Sequence, residues 1–195
     1  MPDLKRGLRD PRTLAYLAVF GTLWGAWEIT VGSLLHLVNF PLKGTWLAAG
    51  AMTLALTGRR LIPAPGGLLW MGALAALLKV FSFGGVVLSP MVAILVEASL
   101  AEAVVLLARN RPWAYPLAGG VALLWPPLHR LLFQALYFGA DVYQVYAQLA
   151  HALSRWIPIA GVLWALGVLM VFQFLIGMAA GTLALALAQR VRIRL

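Results

Sequence analysis

The sequence predicts an all-α membrane protein: one bundle of six transmembrane helices, both termini cytoplasmic, with an amphipathic outer segment between the fifth and sixth helices. Three observations carry that expectation. Hydrophobic residues make up 63% of the 195 positions and charged residues only 11%, which lies outside the composition of an ordinary soluble domain. The apolar residues gather into six long stretches, each near the roughly 20 residues that a helix needs to cross a bilayer. The basic residues alternate from one connection to the next. The N-terminal tail, the second and fourth connections and the C-terminal tail hold four, two, two and three Lys or Arg, whereas the other three connections hold one, none and one. By the positive-inside rule both termini face the cytoplasm. The net charge of +9 then reads as an orientation signal, and no nucleic-acid partner is expected.

The first span, about 13–37, follows the basic segment Lys5-Arg6-Gly7-Leu8-Arg9. It is too long for a secretory signal and carries Glu28, so it reads as a retained helix. Asn39-Phe40-Pro41 breaks it, and a second span covers about 45–61, closed by Arg59-Arg60. Pro63, Pro65 and Gly66-Gly67 turn the chain into a third span, 67–82. Gly84-Gly85 and Pro90 punctuate the short outer connection before the fourth, 89–108. Arg109-Asn110-Arg111-Pro112 leads to the fifth, 115–139, in which Pro126-Pro127 predicts a kink or local unwinding near mid-span. Residues 140–158, with Asp141, Tyr143, Tyr146, Gln148, His151 and Arg155, read as an amphipathic cap at the interface. The sixth span, 159–189, ends in Arg190, Arg192 and Arg194. Residues 1–195 thus form a single membrane domain, with no length left for a soluble catalytic or nucleotide-binding domain.

Titratable residues inside the spans are the functional pointer, because an ionised side chain at mid-span costs about 2.5–3.5 kcal/mol even on the lenient insertion scale. At a rise of about 1.5 Å per residue, His36 and Lys79 fall within about 5 Å of the outer surface, and Glu28, Glu97 and Arg130 roughly 12–14 Å below it. Similar depth pairs Glu28 with Arg130, and the hairpin of the third and fourth spans pairs Lys79 with Glu97, either as structural ion pairs or as the lining of a site. Lys79 is also close enough to the surface to snorkel. Glu102, nearer the cytoplasm and five positions from Glu97, faces elsewhere and stands apart from the cluster. His129 beside Arg130 on the proline-broken helix presents two polar groups about 100° apart. Trp24, Trp27 and Trp125 lie at mid-span, unlike Trp46, Trp113 and Trp156 at the interfacial belts. Flat rings beside polar groups suit a planar heteroaromatic ligand, and plain core packing suits them equally.

On the first span Gly21, Gly25, Glu28, Gly32 and His36 share one stripe, while Ala15, Ala18, Thr22 and Ala26 form a second one suited to close approach of another helix. Both stripes are also compatible with packing inside the bundle. The chain holds no cysteine, which removes disulfides and thiolate metal sites. No catalytic constellation appears at usable spacing, neither a His-Glu-x-x-His nor a Gly-x-Ser-x-Gly nor a phosphate-binding glycine loop, so no enzyme is expected. His36, His129 and Glu28 are too dispersed in depth to specify a metal, and no cofactor is expected.

The segments Gly21-Thr22-Leu23-Trp24-Gly25-Ala26-Trp27-Glu28, Arg59 to Gly66, Gly84-Gly85, Pro90 to Ala98 and Ala101-Glu102, in this size and topology, resemble the substrate-binding S components of energy-coupling factor (ECF) transporters. The resemblance is nearest to the small thiamine-precursor type. It implies a subunit of a prokaryotic cytoplasmic (inner) membrane that captures a vitamin, vitamin precursor or metal in an outward-facing pocket. It further implies delivery through a shared transmembrane coupling subunit with two cytoplasmic ATPases. Docking in that family uses an Ala-x-x-x-Ala-like stripe on the first helix, matched here by Ala18, Thr22 and Ala26, with Thr22 where alanine is usual.

The expected pocket is therefore formed by the first, third, fourth and fifth spans beneath loops around Pro41, Gly84 and residues 143–146. Glu28 and Glu97 face basic ligand groups; Lys79, His129 and Arg130 face acidic or carbonyl groups; Trp27 and Trp125 form apolar walls, and His36 is a further substrate-binding candidate. Two carboxylates against Lys79 and Arg130 cancel, which favours a neutral or zwitterionic ligand. Two other readings stay open: a membrane scaffold or assembly subunit, and a small ion- or proton-coupled carrier.

Overall fold

The computed structural model describes residues 10–38, 41–62, 64–81, 88–138, 144 and 162–194. The amphipathic segment at 140–158 apart from Gln144, the connection at Gly84-Gly85 and the basic residues Lys5, Arg6 and Arg9 lie outside the described residues.

Every described element is helical. α1 (Pro11–Leu37) begins at Asp10, whose carboxylate accepts the backbone N–H groups of Arg12 and Thr13, an acidic cap at the positive end of the helix dipole. α2 (Lys43–Leu61) ends at Ile62, extended at φ −120° and ψ 100°, the conformation imposed by the following Pro63. α3 (Gly67–Leu78) starts after Gly66 at φ 80° and tightens into a 3-10 turn over Lys79–Phe81. α4 (Leu88–Leu107) ends in two left-handed residues, Arg109 and Asn110.

The predicted fifth span is divided. α5 (Ala114–Leu123) and α6 (Trp125–Phe138) meet at Leu124. Pro126 and Pro127 cannot donate to the carbonyls of Ala122 and Leu123, and they sit in the first turn of the new helix, where no N–H is needed. α7 (Val162–Arg194) closes the bundle.

Three of these helices are long and apolar enough to cross a membrane, over Pro11–Leu35, Leu88–Leu107 and Leu166–Ile193. α2 dilutes its apolar run with Lys43, Arg59 and Arg60. α3 with its 3-10 turn is a shorter apolar helix, Gly67–Phe81. Large apolar side chains are exposed along these surfaces, Leu14, Val19 and Leu23 on α1 and Val171, Phe172 and Leu175 on α7 among them, as helices facing lipid require.

Neighbours are set by small residues. Leu17, Gly21 and Gly25 on α1 pack against Gly67, Leu74 and Leu78, so α1 and α3 run side by side in the same direction. α2 crosses α1 antiparallel, with Phe20 beside Gly58 and Trp27 beside Gly50. α5 and α7 approach most closely: a Cβ on Gly119, Gly177 or Gly181 would run into the opposing backbone, the close contact that glycine permits between spanning helices. Thr53 and Thr57 reach from α2 toward the carbonyls of Ala180 and Ala184. Trp24, Met52, Leu56, Met71, Tyr115 and Leu123 fill the core between alanines.

Candidate functional site

One end of the bundle gathers Arg59, Glu102 and Asn110; the other gathers Lys79, Glu28, Ser89 and His129. The second group includes three of the residues expected from the sequence, Glu28, Lys79 and His129. Glu28 and Trp24 are one turn apart on α1, and both are buried. The 3-10 turn after α3 carries Lys79 back over α1. Its Nζ lies 3.3 Å from Glu28 Oε2 and donates to the Glu28 carbonyl at 2.8 Å, with the two side chains 11% and 7% exposed. Gly32, one turn beyond Glu28, leaves room for the ammonium: a Cβ there would stand 3.5 Å from Nζ.

This arrangement corrects the pairing expected from depth. Lys79 turns inward to Glu28 and neither snorkels nor meets Glu97. Arg130 is exposed on α6, and no ion pair among the described residues involves it. Equal depth did not bring Glu28 and Arg130 together because depth says nothing of the face on which a side chain sits.

Glu97, on the middle of α4, is buried. It lies close enough to Glu28 for the two carboxyls to interact as like charges. No cation or hydrogen-bond donor among the described residues reaches it. The cluster therefore holds two carboxyls against one ammonium, and the balance expected when Arg130 was counted among them is gone.

The aromatic residues divide into satisfied and unsatisfied donors. Trp27 Nε1 donates to the Leu47 carbonyl at 2.9 Å, fastening α1 to α2. Trp24 Nε1 is close to Glu28, yet no partner among the described residues lies within hydrogen-bonding distance of it. Trp125 Nε1 on α6 is likewise buried without a partner among the described residues. His129, one turn further, stacks obliquely between Trp125 at 5.6 Å and Phe133 at 4.3 Å between ring centroids. Its Nε2 lies 2.9 Å from Ser89 Oγ on α4, while its Nδ1 is buried and unpartnered. A serine and a histidine in contact lack here the group on Nδ1 that orients the imidazole in an acyl-transfer triad. Gln173 Oε1 on α7 is a further buried acceptor without a partner. His36 lies on the last full turn of α1, and its side chain is outside the described part of the structure.

Sequence reasoning passed over Ser89, Gln173 and, at the opposite end, Arg59 with Glu102. Arg59 was expected as a topology charge, but it is 1% exposed and binds Glu102 through Nε and Nη2. Glu102 also accepts the backbone N–H groups of Gly66 at 2.8 Å and Leu68 at 3.1 Å. A signal for this existed: the turn into α3 offers no Ser, Thr, Asp or Asn cap, so its first N–H groups needed an acceptor from elsewhere.

On the first helix the two stripes separate. Gly21, Gly25, Glu28 and Gly32 face the bundle, whereas Ala15, Ala18, Thr22 and Ala26 are all exposed. A groove of about 410 Å³ lies at the Arg59 end, between the end of α4 and the start of α5, away from the carboxyl cluster.

No protein-family model matches this chain, and neither a curated protein nor a solved structure is significantly similar to it.

Proposed function

We propose that this chain is the substrate-capture subunit of an ECF-type importer in a prokaryotic cytoplasmic membrane. In this reading it has six spans and cytoplasmic termini, binds a vitamin, vitamin precursor or similar small molecule, and works with a coupling subunit and two ATPases. The observation that carries the reading is Glu97: a buried carboxyl with no described counter-charge, beside a Glu28–Lys79 pair that is already satisfied. A buried carboxyl without a partner is expensive in either protonation state, which supports a role outside the fold itself. Two further N–H groups without a described partner, Trp24 Nε1 close to Glu28 and Trp125 Nε1 next to His129, are the kind of polar points that orient a ligand in a mostly apolar site. With one carboxyl in surplus, the ligand favoured is one that brings a positive charge or several N–H donors, in place of the neutral or zwitterionic ligand that a balanced count implied. The exposed small stripe Ala15, Ala18, Thr22 and Ala26 supports docking on another membrane helix.

Mass spectrometry of ligand co-purified with the protein, followed by thermal unfolding in detergent, tests this reading. A ligand at a hundredfold excess over its dissociation constant stabilises by about 2.7 kcal/mol, and Glu97→Gln abolishes that gain while leaving the ligand-free protein folded. Retention of the full gain by Glu97→Gln would sink the proposed site. Glu97 also favours a second reading, a proton-coupled carrier, since lone buried carboxyls serve proton transfer within membranes. Concentrative uptake into proteoliposomes without ATPases is the outcome that selects it.

A further inference from the structure

We propose that the groove between the end of α4 and the start of α5 binds one anionic phospholipid. Its phosphate lies against Arg109 and Arg111, and an acyl chain lies along Val104, Leu107 and Leu117. α4 is one of the helices long and apolar enough to cross a membrane, so the residues just past Leu107 stand at headgroup level. Leu106 and Leu107 there are 45% and 86% exposed, a surface that hydrocarbon covers and water does not favour.

The turn that carries the arginines is held by three elements. Arg109 and Asn110 adopt φ 51° and 60°, and two left-handed residues in succession, neither of them glycine, persist only where neighbours fix them. The Asn110 N–H donates to the Val105 carbonyl at 2.8 Å and the Arg111 N–H to the Ala108 carbonyl at 3.2 Å. From α2, Arg60 Nη1 donates to the Asn110 carbonyl at 3.3 Å. From α5, the Tyr115 hydroxyl donates to Asn110 Oδ1. Asn110 is thus an anchor, and an arginine stands on each side of it.

Both arginines are exposed, and no carboxylate among the described residues pairs with either. The groove beside them has a volume of about 410 Å³ and a largely apolar wall, with Trp113 on its rim. Trp113 is 56% exposed, as an indole at the lipid–water boundary is. Guanidinium groups match phosphate oxygens in a paired geometry, and basic pockets between spanning helices are known to take anionic headgroups. A free phosphate would engage only the arginines and leave the apolar wall bare, so a lipid fits the whole of the groove.

Native mass spectrometry of the full chain, released from micelles containing equal amounts of phosphatidylglycerol and phosphatidylcholine, tests the site. One phosphatidylglycerol is expected to be retained in preference to phosphatidylcholine. R109Q/R111Q lowers that retention about tenfold. R12Q/R190Q removes as many exposed charges from the same end and leaves retention within about twofold. Inorganic phosphate in large excess does not displace the lipid. Equal retention of both lipids, equal loss in the two double variants, or displacement by phosphate each overturns the proposal. The four arginines are exposed, so their replacement leaves the core packing untouched, and unchanged unfolding temperatures check this.

Discussion

Arg59 and Glu102 meet inside the bundle although 43 residues separate them, with Nε 3.0 Å from Oε2 and the two side chains 1% and 2% exposed. Glu102 does more than neutralise Arg59, since it also accepts the N–H groups of Gly66 and Leu68 that open α3. One carboxylate therefore joins the end of α2, the start of α3 and the C-terminal part of α4.

One consequence separates this pair from an ordinary buried ion pair. Glu102→Gln leaves a buried guanidinium uncompensated and is expected to cost about 3–5 kcal/mol. Replacing both partners by apolar residues, as in R59M/E102L, often restores stability for a simple pair. Here it is expected to remain destabilised by about 1–3 kcal/mol for each of the two backbone N–H groups left bare. Thermal unfolding of the wild type and the two variants in one detergent decides it; full recovery in R59M/E102L would show that the helix cap contributes nothing.

Lys79 and Glu28 form the second ion pair, and Arg130 serves as its control. Lys79→Met strands Glu28 beside Glu97, so a loss toward the lower end of about 3–5 kcal/mol is expected, since the pair is slightly exposed. E28Q/K79M recovers most of that loss, a coupling readable in a double-mutant cycle. Arg130→Gln changes stability by no more than about 0.5 kcal/mol, as suits an exposed position. A large effect of Arg130→Gln together with a small one of Lys79→Met would reverse the assignment of the pair.

The difference between Lys79 and Arg130 marks where sequence reading stops. Helix boundaries were legible because local chemistry writes them: Pro63 ends α2, Gly66 opens α3, and Pro126-Pro127 divides α5 from α6. Each acts within a few residues of itself. The membership of the buried cluster was partly legible too, since Glu28, Lys79 and Glu97 are costly inside apolar runs wherever they point. Their pairing was not legible. It depends on α1 and α3 lying side by side and on the rotation of each helix about its axis, and neither follows from rise per residue. Arg59 was misread for a related reason: a charge at the end of an apolar run looks like a topology signal until its partner, Glu102, is brought beside it. The glycine spacing of α7 at Gly177 and Gly181 was present in the sequence and went unused, because small-residue spacing does not say which helix will fill the groove.

Those glycines make a sharp prediction. At Gly177 a Cβ would collide with the backbone at Gly119 and Gly120, and backbone cannot swing aside as a side chain can. Gly177→Ala is expected to push α5 and α7 apart and to cost upward of about 2 kcal/mol. Gly167, on the same helix, has no atom of the described residues within 4 Å of its Cβ position. Gly167→Ala is expected to be neutral or to stabilise by up to about 1 kcal/mol, as alanine does in a helix. Equal effects of the two substitutions on unfolding temperature would mean that the close approach of α5 and α7 is not maintained in the membrane.

Trp27 and Gly50 give a test of the first two helices in which two disruptions partly cancel. The Trp27 indole donates to Leu47 and lies over Gly50, where an added Cβ would overlap its ring. Gly50→Ala in the wild type forces the indole off its site, for about 1–3 kcal/mol of overpacking and about 1 kcal/mol more for the lost hydrogen bond. In a Trp27→Leu background neither the ring nor the bond remains to be displaced, so Gly50→Ala is expected to cost less than about 1 kcal/mol. The cycle therefore predicts a coupling of about 1–3 kcal/mol, with the double variant more stable than the sum of its parts. Additive losses would place the indole away from α2 and remove the contact that sets the crossing of α1 over α2, and with it the position of Glu28, one residue further along α1.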